Sequence, residues 1–528
     1  MLRKSRVAGV AAIGLLAVVF LQAAADVALH PLFTDHMVLQ RDMKVPVWGT
    51  ASTGEKIRVS LATSETAMKA CRLAATKADA DGNWMVKLKR LKAGGPYFLT
   101  VSGESNRVTV SDVLVGEVWI GSGQSNMQMA VSSSNNAAEE IAGASFPSMR
   151  LFYVPRMVAD TPRKTVDAVW QECTPETVPG FSAALYFFGR HLHNELNVPL
   201  GLIHTSWGGT PAESWTSIEQ LQTLPDCAPL LERWDKILAD YPQAAAEHEK
   251  KLEEWKAAAE KAKAEGNEAP AQPRGPHGPD SPHRPANLYN AMIAPLVPYG
   301  IRGAIWYQGE SNASRAYQYR SLFPAMIEDW RESWDQPGKR RDFPFYFVQL
   351  ANWRERKPEP EPSDWAELRE AQTMTLSLKN TGMAVIIDIG DEKDIHPKNK
   401  QDVGKRLALN ALNQVHGQDV PCSGPMYAGM KIQGNRAVLR FKHTDGGLVA
   451  KGGALTGFAI AGSDQQFVWA DATIQGDTVV VSSDKVAEPV AVRYAWADNP
   501  ECNLYNGADL PASPFRTDDW PGITVDSK

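Results

Sequence analysis

The chain has few cysteines, only five among 528 residues: Cys71, Cys173, Cys227, Cys422 and Cys502. No two stand as Cys-x-x-Cys, which excludes zinc-ribbon and dithiol redox motifs. The odd count leaves at least one thiol unpaired within the chain, whether or not the others form one or two disulfides. None lies in a glycine-rich turn, so a nucleophilic cysteine is not indicated. An excess of one charge is also missing. Lys and Arg number 55 against 61 Asp and Glu, a formal net charge of −6. That balance argues against nucleic acid and anionic membrane surfaces as partners. Beyond the first residues no apolar run is long enough to span a bilayer, which takes about 20 residues. No cysteine follows the first apolar run to carry a lipid anchor. There is no internal repeat of fixed period. His277 and His283 lack the carboxylate or cysteine pattern of a metal site and read as loop residues. No metal and no cofactor is expected.

What is present starts with an export signal. Arg3, Lys4 and Arg6 precede an apolar run over 7–21, followed by Gln22-Ala23-Ala24-Ala25. A basic start, a short apolar stretch and a small-residue site read as a signal peptide over 1–25, cut after Ala25. The alternative, a membrane anchor, is disfavoured by the shortness of the run. A secreted or periplasmic protein, with no membrane insertion after cleavage, is expected.

The remaining length suggests roughly two to four domains, and 43% hydrophobic residues allow a sizeable core. Residues 26–110 carry period-two segments such as Ile57-Arg58-Val59-Ser60-Leu61. Turn signals such as Asp81-Gly82-Asn83 separate them, which predicts a β-sandwich. From 111 to 420 short apolar runs alternate with helical patterns. The runs are Val118-Trp119-Ile120, Leu200-Gly201-Leu202-Ile203, Gly303-Ala304-Ile305-Trp306, Phe345-Tyr346-Phe347-Val348 and Ala384-Val385-Ile386-Ile387. Leu185, Phe188, Leu192 and Leu196 mark a helix between two of them. This texture predicts an α/β domain with a mainly parallel sheet. An Ala/Glu/Lys-rich helical stretch over 228–264 and a Pro/Gly/His-rich stretch over 265–285 read as an inserted helical hairpin or lid-like excursion. Residues 421–528 return to β character, with Gly476-Asp477 as a hairpin turn.

Four small-polar segments follow candidate parallel strands, where open α/β sheets bind ligands. The first is Gly121-Ser122-Gly123-Gln124-Ser125-Asn126-Met127. Glycine permits a tight turn and close approach of a substrate, so Ser125 is the candidate nucleophile. A Gly/Ser/Asn turn without chemistry has the same composition, and the segment is not the GxSxG elbow. The second, Gly390-Asp391-Glu392-Lys393-Asp394-Ile395-His396, follows an expected strand over 384–389. His396 has the intrinsic pKa of a general base. Asp394, two residues earlier, is placed to reach Nδ1, and Asp391 is the rival carboxylate. An acidic surface loop is the bland alternative. The third, Thr205-Ser206-Trp207-Gly208-Gly209-Thr210, offers backbone N–H groups to an oxyanion. The fourth, Trp306-Tyr307-Gln308-Gly309-Glu310-Ser311-Asn312, offers the Gln308 amide to the oxyanion. Glu310 there would orient a neighbour or bind a sugar hydroxyl. Routine turns and polar loops remain the alternatives for both.

These motifs in combination resemble the sialate O-acetylesterases, a branch of the SGNH-type hydrolases similar also to some acetylxylan esterases. The likeness extends to Leu32-Phe33-Thr34-Asp35-His36-Met37-Val38-Leu39-Gln40, Arg493-Tyr494-Ala495-Trp496-Ala497-Asp498-Asn499 and Leu510-Pro511-Ala512-Ser513-Pro514-Phe515-Arg516. The resemblance implies a three-layer SGNH-like parallel-sheet catalytic domain with β-sandwich-like regions at both ends. It implies Ser125 as nucleophile, His396 as base, Asp394 as its partner and Gly208 or Gly209 as the oxyanion glycine. The asparagine usual in the third SGNH block is replaced here by Gln308-Gly309-Glu310. The carboxylate stands two rather than three residues before the histidine, so Glu310 is the alternative acid. The implied substrate is an O-acetylated sialic acid or sialoglycan. An acetylxylan or general carbohydrate acetylesterase is the enzymatic alternative. A non-catalytic glycan-binding protein on a hydrolase scaffold is the alternative of another class.

Overall fold

A computed structural model describes residues 26–65 and 71–528. The expected signal peptide over 1–25 lies outside the described residues. The molecule is organised by the strand Arg107–Gly123. Its first half pairs with Gly94–Ser102 and Val38–Gln40, and its second half lies in the middle of the central sheet. The expected domain junction at 110/111 therefore falls inside one continuous strand. Glu117, fully buried near the strand's midpoint, accepts from Arg41, Gln40 and Arg302, so N-terminal and catalytic segments share one carboxylate.

The central sheet runs Trp170–Cys173, Phe146–Tyr153, Leu200–Ser206, Arg107–Gly123, Gly303–Tyr307, Phe345–Val348, Thr381–Ala384. Only the Trp170–Cys173 edge is antiparallel to its neighbour; the other neighbours are parallel. Side chains alternate between two cores. Val118, Ile120, Ala304, Trp306, Phe345 and Phe347 enter one. Trp119, Leu202, Ile305, Tyr307, Tyr346 and Val348 enter the other. The helices Ala316–Trp334 and Asp364–Met374 cover the first face, and Ala183–Leu196 and Lys400–Gln414 cover the second. This is the expected three-layer α/β architecture. Because both faces are covered, the strands read as unbroken apolar runs.

One expected strand is displaced. The last parallel strand is Thr381–Ala384, not 384–389. Val385, Ile386 and Ile387 are buried in the loop that leaves it. Their apolarity serves packing rather than pairing, and Thr381 through Ala384 hold the register against Phe345 through Val348.

Before that strand, the segment 228–285 is not a helical hairpin. One helix, Ala228–Ala264, goes out, and a non-helical Pro- and Gly-rich stretch returns. Of this helix only Leu230 is buried. Proline at 270, 273, 276, 279, 282 and 285 denies the return path helical hydrogen bonds.

The N-terminal region comprises a three-stranded antiparallel sheet (Ala28–Leu29, Val45–Thr50, Asn83–Leu88) and the strands Lys56–Ala62, Arg72–Lys77 and Gly94–Ser102. The C-terminal region has two four-stranded sheets around their own core of Leu439, Phe458, Ile460, Val479, Val481 and Tyr494. It is tied to the catalytic part by Arg369, a fully buried side chain donating to the carbonyls of Leu350, Ala351, Ala497 and Asp498. All five cysteines are free thiols. Among the described residues no helix is long and apolar enough to cross a membrane.

Candidate active site

Three of the four loops leave neighbouring strands: Leu200–Ser206, Arg107–Gly123 and Gly303–Tyr307. The fourth leaves the last parallel strand and crosses back to them. Gly123 makes the turn possible. Its φ is +138°, and a Cβ there would lie 2.2 Å from the Tyr307 carbonyl oxygen. Only glycine fits this close approach. The loops are then stitched together. Gln124 N–H donates to the Tyr307 carbonyl (3.0 Å), Trp207 N–H to that of Gly123 (3.1 Å), and Ser311 N–H to Gln124 Oε1 (3.2 Å).

Ser125 opens the short helix Ser125–Gln128. Its N–H is one of the first-turn donors that a helix leaves without an internal partner. Ser125 Oγ lies 2.8 Å from His396 Nε2. On the other side of the ring, His396 Nδ1 lies 3.2 Å from Asp394 Oδ1, and the same oxygen accepts the His396 backbone N–H at 2.9 Å. That backbone N–H, together with the nearby imidazole, holds the Asp394 carboxyl below the usual carboxylate range. The carboxylate therefore stays ionised at neutral pH, with its lone pairs directed at the imidazole. Asp394 and His396 are both partly exposed, their side chains 46% and 37% accessible.

The other expected residues divide. Gly208 faces Ser125: a Cβ on it would lie 3.3 Å from the Ser125 Cβ, and its N–H donates to Gln128 Oε1 at 2.6 Å. Gly209 points to open space, with φ +76° and nothing within 4 Å of a Cβ. Gln308 does not reach Ser125. It is fully buried, its Nε2 donates to Asn312 Oδ1 (2.6 Å) and the Thr210 carbonyl (3.3 Å), and its Oε1 accepts from Tyr319 (2.9 Å). Its amide is consumed in bracing the loops, so the expected oxyanion role has no free donor. Asp391 accepts from Lys393 N–H and stays exposed. Glu310 Oε1 accepts from Asn126 at 2.7 Å, and Oε2 is buried without a hydrogen bond. Burial pushes the Glu310 carboxyl above its ordinary range.

Two residues that the sequence reading passed over complete the arrangement. Asn126 Nδ2 donates to the Ile395 carbonyl (3.0 Å) as well as to Glu310. Lys400 Nζ donates to the Pro397 carbonyl (2.6 Å) and to Asn126 Oδ1 (2.7 Å), 5.2 Å above the Tyr307 ring. The carbonyls on either side of His396 are thus gripped by the residue after Ser125 and by a buried lysine amine. Burial brings Lys400 down to about 7. A signal for it exists in the sequence: a cation at the first position of the Lys400–Gln414 helix opposes the helix dipole, so another interaction must hold it there.

The resulting cleft, of about 650 Å³, is lined by Ser125, Gln128, Met129, Ala130, Ser133, Arg156, Trp207, Gly208, Asp394, His396 and Lys398. Beside it, Leu230, Arg233, Trp234, His277 and His283 of the insertion share a cavity with Gly209 and Ser311. The rings of His277 and His283 lie 5.0 Å apart and tilted by 34°, and His277 Nδ1 meets Ser281 Oγ at 3.0 Å. A close His and carboxylate group elsewhere, His36, Asp112 and Glu172, is crossed by Arg150, which donates to Asp112 at 2.7 Å. The strand-end cleft brings together what acyl transfer needs: a hydroxyl against an imidazole, the imidazole against a carboxylate, and backbone N–H groups beside the hydroxyl.

A family model described as "carbohydrate esterase, sialic acid-specific acetylesterase" matches residues 280–413. Sialate O-acetylesterases of Homo sapiens and Mus musculus are each 31% identical to this chain. The human alignment covers 92% of this chain and 92% of the relative, and the mouse alignment 91% and 92%. The crystal structure of a carbohydrate acetylesterase from Xanthomonas citri is 38% identical, with TM-score 0.78 over 94% of this chain and 100% of that one.

Proposed function

Because this chain belongs to the sialate O-acetylesterase family and is a carboxylic ester hydrolase, we propose that it removes O-acetyl groups from sialic acids by a Ser125–His396–Asp394 mechanism. The observation that carries the mechanism is the 2.8 Å approach of Ser125 Oγ to His396 Nε2, with Asp394 on the far nitrogen. His396 Nε2 takes the hydroxyl proton as Oγ bonds to the acetyl carbonyl carbon. The tetrahedral oxyanion is held by the Ser125 and Gly208 N–H groups, the latter leaving Gln128 Oε1 as it turns to the substrate. The intermediate collapses as the carbon–oxygen bond to the sugar breaks, and His396 returns the proton to the sugar oxygen. Water, deprotonated by the same nitrogen, attacks the acetyl-serine. The Oγ–carbon bond then breaks, Oγ regains the proton, and acetate leaves. Asp394 keeps Nδ1 protonated and supports the imidazolium throughout.

Ser125→Ala should lower hydrolysis of a model acetyl ester by at least about a thousandfold, and an organophosphonate should label Ser125 in the wild type. A Ser125→Ala protein that works at near wild-type rate refutes the mechanism. The substrate reading rests on the family. A second reading, another acetylated sugar, is favoured by the similarity to the Xanthomonas citri carbohydrate acetylesterase. Acetate release from O-acetyl sialosides against acetylated xylan decides between them. Export is read from residues 1–25, and N-terminal sequencing of the protein recovered outside the cytoplasm should begin at Asp26. The glycan-binding alternative without catalysis is set aside by membership of an esterase family.

A further inference from the structure

The catalytic cleft carries more positive charge than ester hydrolysis requires. Two of its lining residues are cations, Arg156 and Lys398, and its one carboxylate, Asp394, is occupied by His396. Lys398 sits near Asp394 and adds to the field that keeps it ionised. Arg156 is different. Its guanidinium carbon lies 5.7 Å from the centre of the Trp207 indole. Among the described residues it forms no ion pair and no side-chain hydrogen bond. An arginine on an aromatic face keeps its planar fork of N–H donors free at the edge, a geometry that matches a carboxylate with two parallel hydrogen bonds. Trp207 is itself fixed, since its N–H is held by the Gly123 carbonyl and the next residue packs against Ser125. The platform under Arg156 is therefore tied to the nucleophile loop.

We propose that Arg156, poised on Trp207, forms a carboxylate subsite of the catalytic cleft that selects acidic O-acetyl sugars over neutral ones. The inference rests on the sialoside reading above and deepens it. A sialic acid carries its carboxylate on the same sugar as the acetyl ester. The open cleft, of about 650 Å³, has room for one sugar. A charge-assisted bidentate pair in a partly open cleft should favour the acid by about tenfold or more.

The test compares an O-acetylated sialic acid with its C1 methyl ester, the same sugar without the negative charge. The quantity is the ratio of the two kcat/KM values for acetate release, taken within each protein, so that a general loss of activity cancels. In the wild type the acid should be preferred by about tenfold or more. In Arg156→Gln the two should fall within about twofold of each other. Arg156→Lys, which keeps the charge and loses the fork, should lie between. A wild-type ratio near one, or a preference that survives in Arg156→Gln, overturns the proposal. An equal fall on acid and ester overturns it too, because Arg156 would then serve the ester chemistry. Should neither sialoside be hydrolysed while acetylated xylan is, the sialoside reading itself fails, and the subsite with it.

Discussion

Replacing Asp394 by Asn isolates the charge of the carboxylate from its geometry. The Asp394 Oδ1 accepts two donors, the His396 backbone N–H at 2.9 Å and the ring Nδ1–H at 3.2 Å. An amide oxygen accepts both as well, so Asp394→Asn leaves the turn intact and removes only the negative charge. In the proposed mechanism that charge stabilises the imidazolium formed in the transition state. The two side chains are 46% and 37% exposed, so water screens the pair strongly. With an effective dielectric constant of about 40 to 80, unit charges 3.2 Å apart interact by about 1.3–2.6 kcal/mol. At 1.36 kcal/mol per tenfold, kcat/KM should fall by about 10- to 100-fold. A buried carboxylate in a serine protease is worth about 10⁴, so the two cases are readily separated. Because the folded Asp394 carboxyl lies below its ordinary value, its support is complete above about pH 4 and is lost only as pH falls through the folded value. Asp394 itself therefore adds no pH dependence to the ratio of wild type to variant between about pH 5 and 8. The assay is acetate release from a soluble acetyl ester, with a thermal melt to confirm folding. A loss below about threefold removes Asp394 from the mechanism. A loss near 10⁴ refutes the argument from exposure. A larger loss in Glu310→Gln than in Asp394→Asn transfers the acid role to Glu310.

Two further outcomes are expected. Lys400→Met should lower kcat by releasing the Pro397 carbonyl and Asn126. It should also change the pH dependence of stability. The folded Lys400 titrates near 7 and the unfolded side chain near 10.5. The unfolded chain therefore binds more protons between those values, and wild-type stability gains a contribution as pH rises through the window. Urea midpoints at about pH 7 and pH 9.5 should differ less in Lys400→Met; an unchanged difference contradicts the assignment. Gly123→Ala should lose both activity and several °C of melting temperature, since its Cβ would fall 2.2 Å from the Tyr307 oxygen at a φ that disfavours side chains. A melt and an esterase rate like those of the wild type would contradict it.

Much of the catalytic core was legible because both faces of its sheet are covered. Val118-Trp119-Ile120 and Phe345-Tyr346-Phe347-Val348 stand out as apolar runs, and each lies in a strand. The same property hides facing: nothing in the run tells that Val118 and Trp119 enter different cores. The strand expected at 384–389 was misplaced because pairing follows hydrogen-bond register, to which Val385 and Ile386 do not contribute. Ser125, Asp394 and His396 lie together where the motifs suggested. Gln308 was misread because a glutamine in a polar loop carries no mark of which neighbours will consume its amide. Asn126 and Lys400 were missed for a related reason. They are 274 positions apart, and only folding gives them a shared task.

The unbroken strand Arg107–Gly123 also constrains how this gene can change. Side chains alternate along it, and its two halves are registered against different partners. Suppose one residue were deleted between them while the first half kept its pairing. Every later side chain would then turn to the opposite face, and Ser125 would be drawn back by about 3.3 Å. Trp119 would point into the core that now holds Val118 and Ile120, and Ser125 would lose His396. Substitutions here are tests of volume, which neighbours can absorb in part. Insertions and deletions are frame errors at the level of the fold. Variation in the length of the N-terminal region should therefore be confined to its loops, and a chimera joined within this strand should function only when its residue count is preserved.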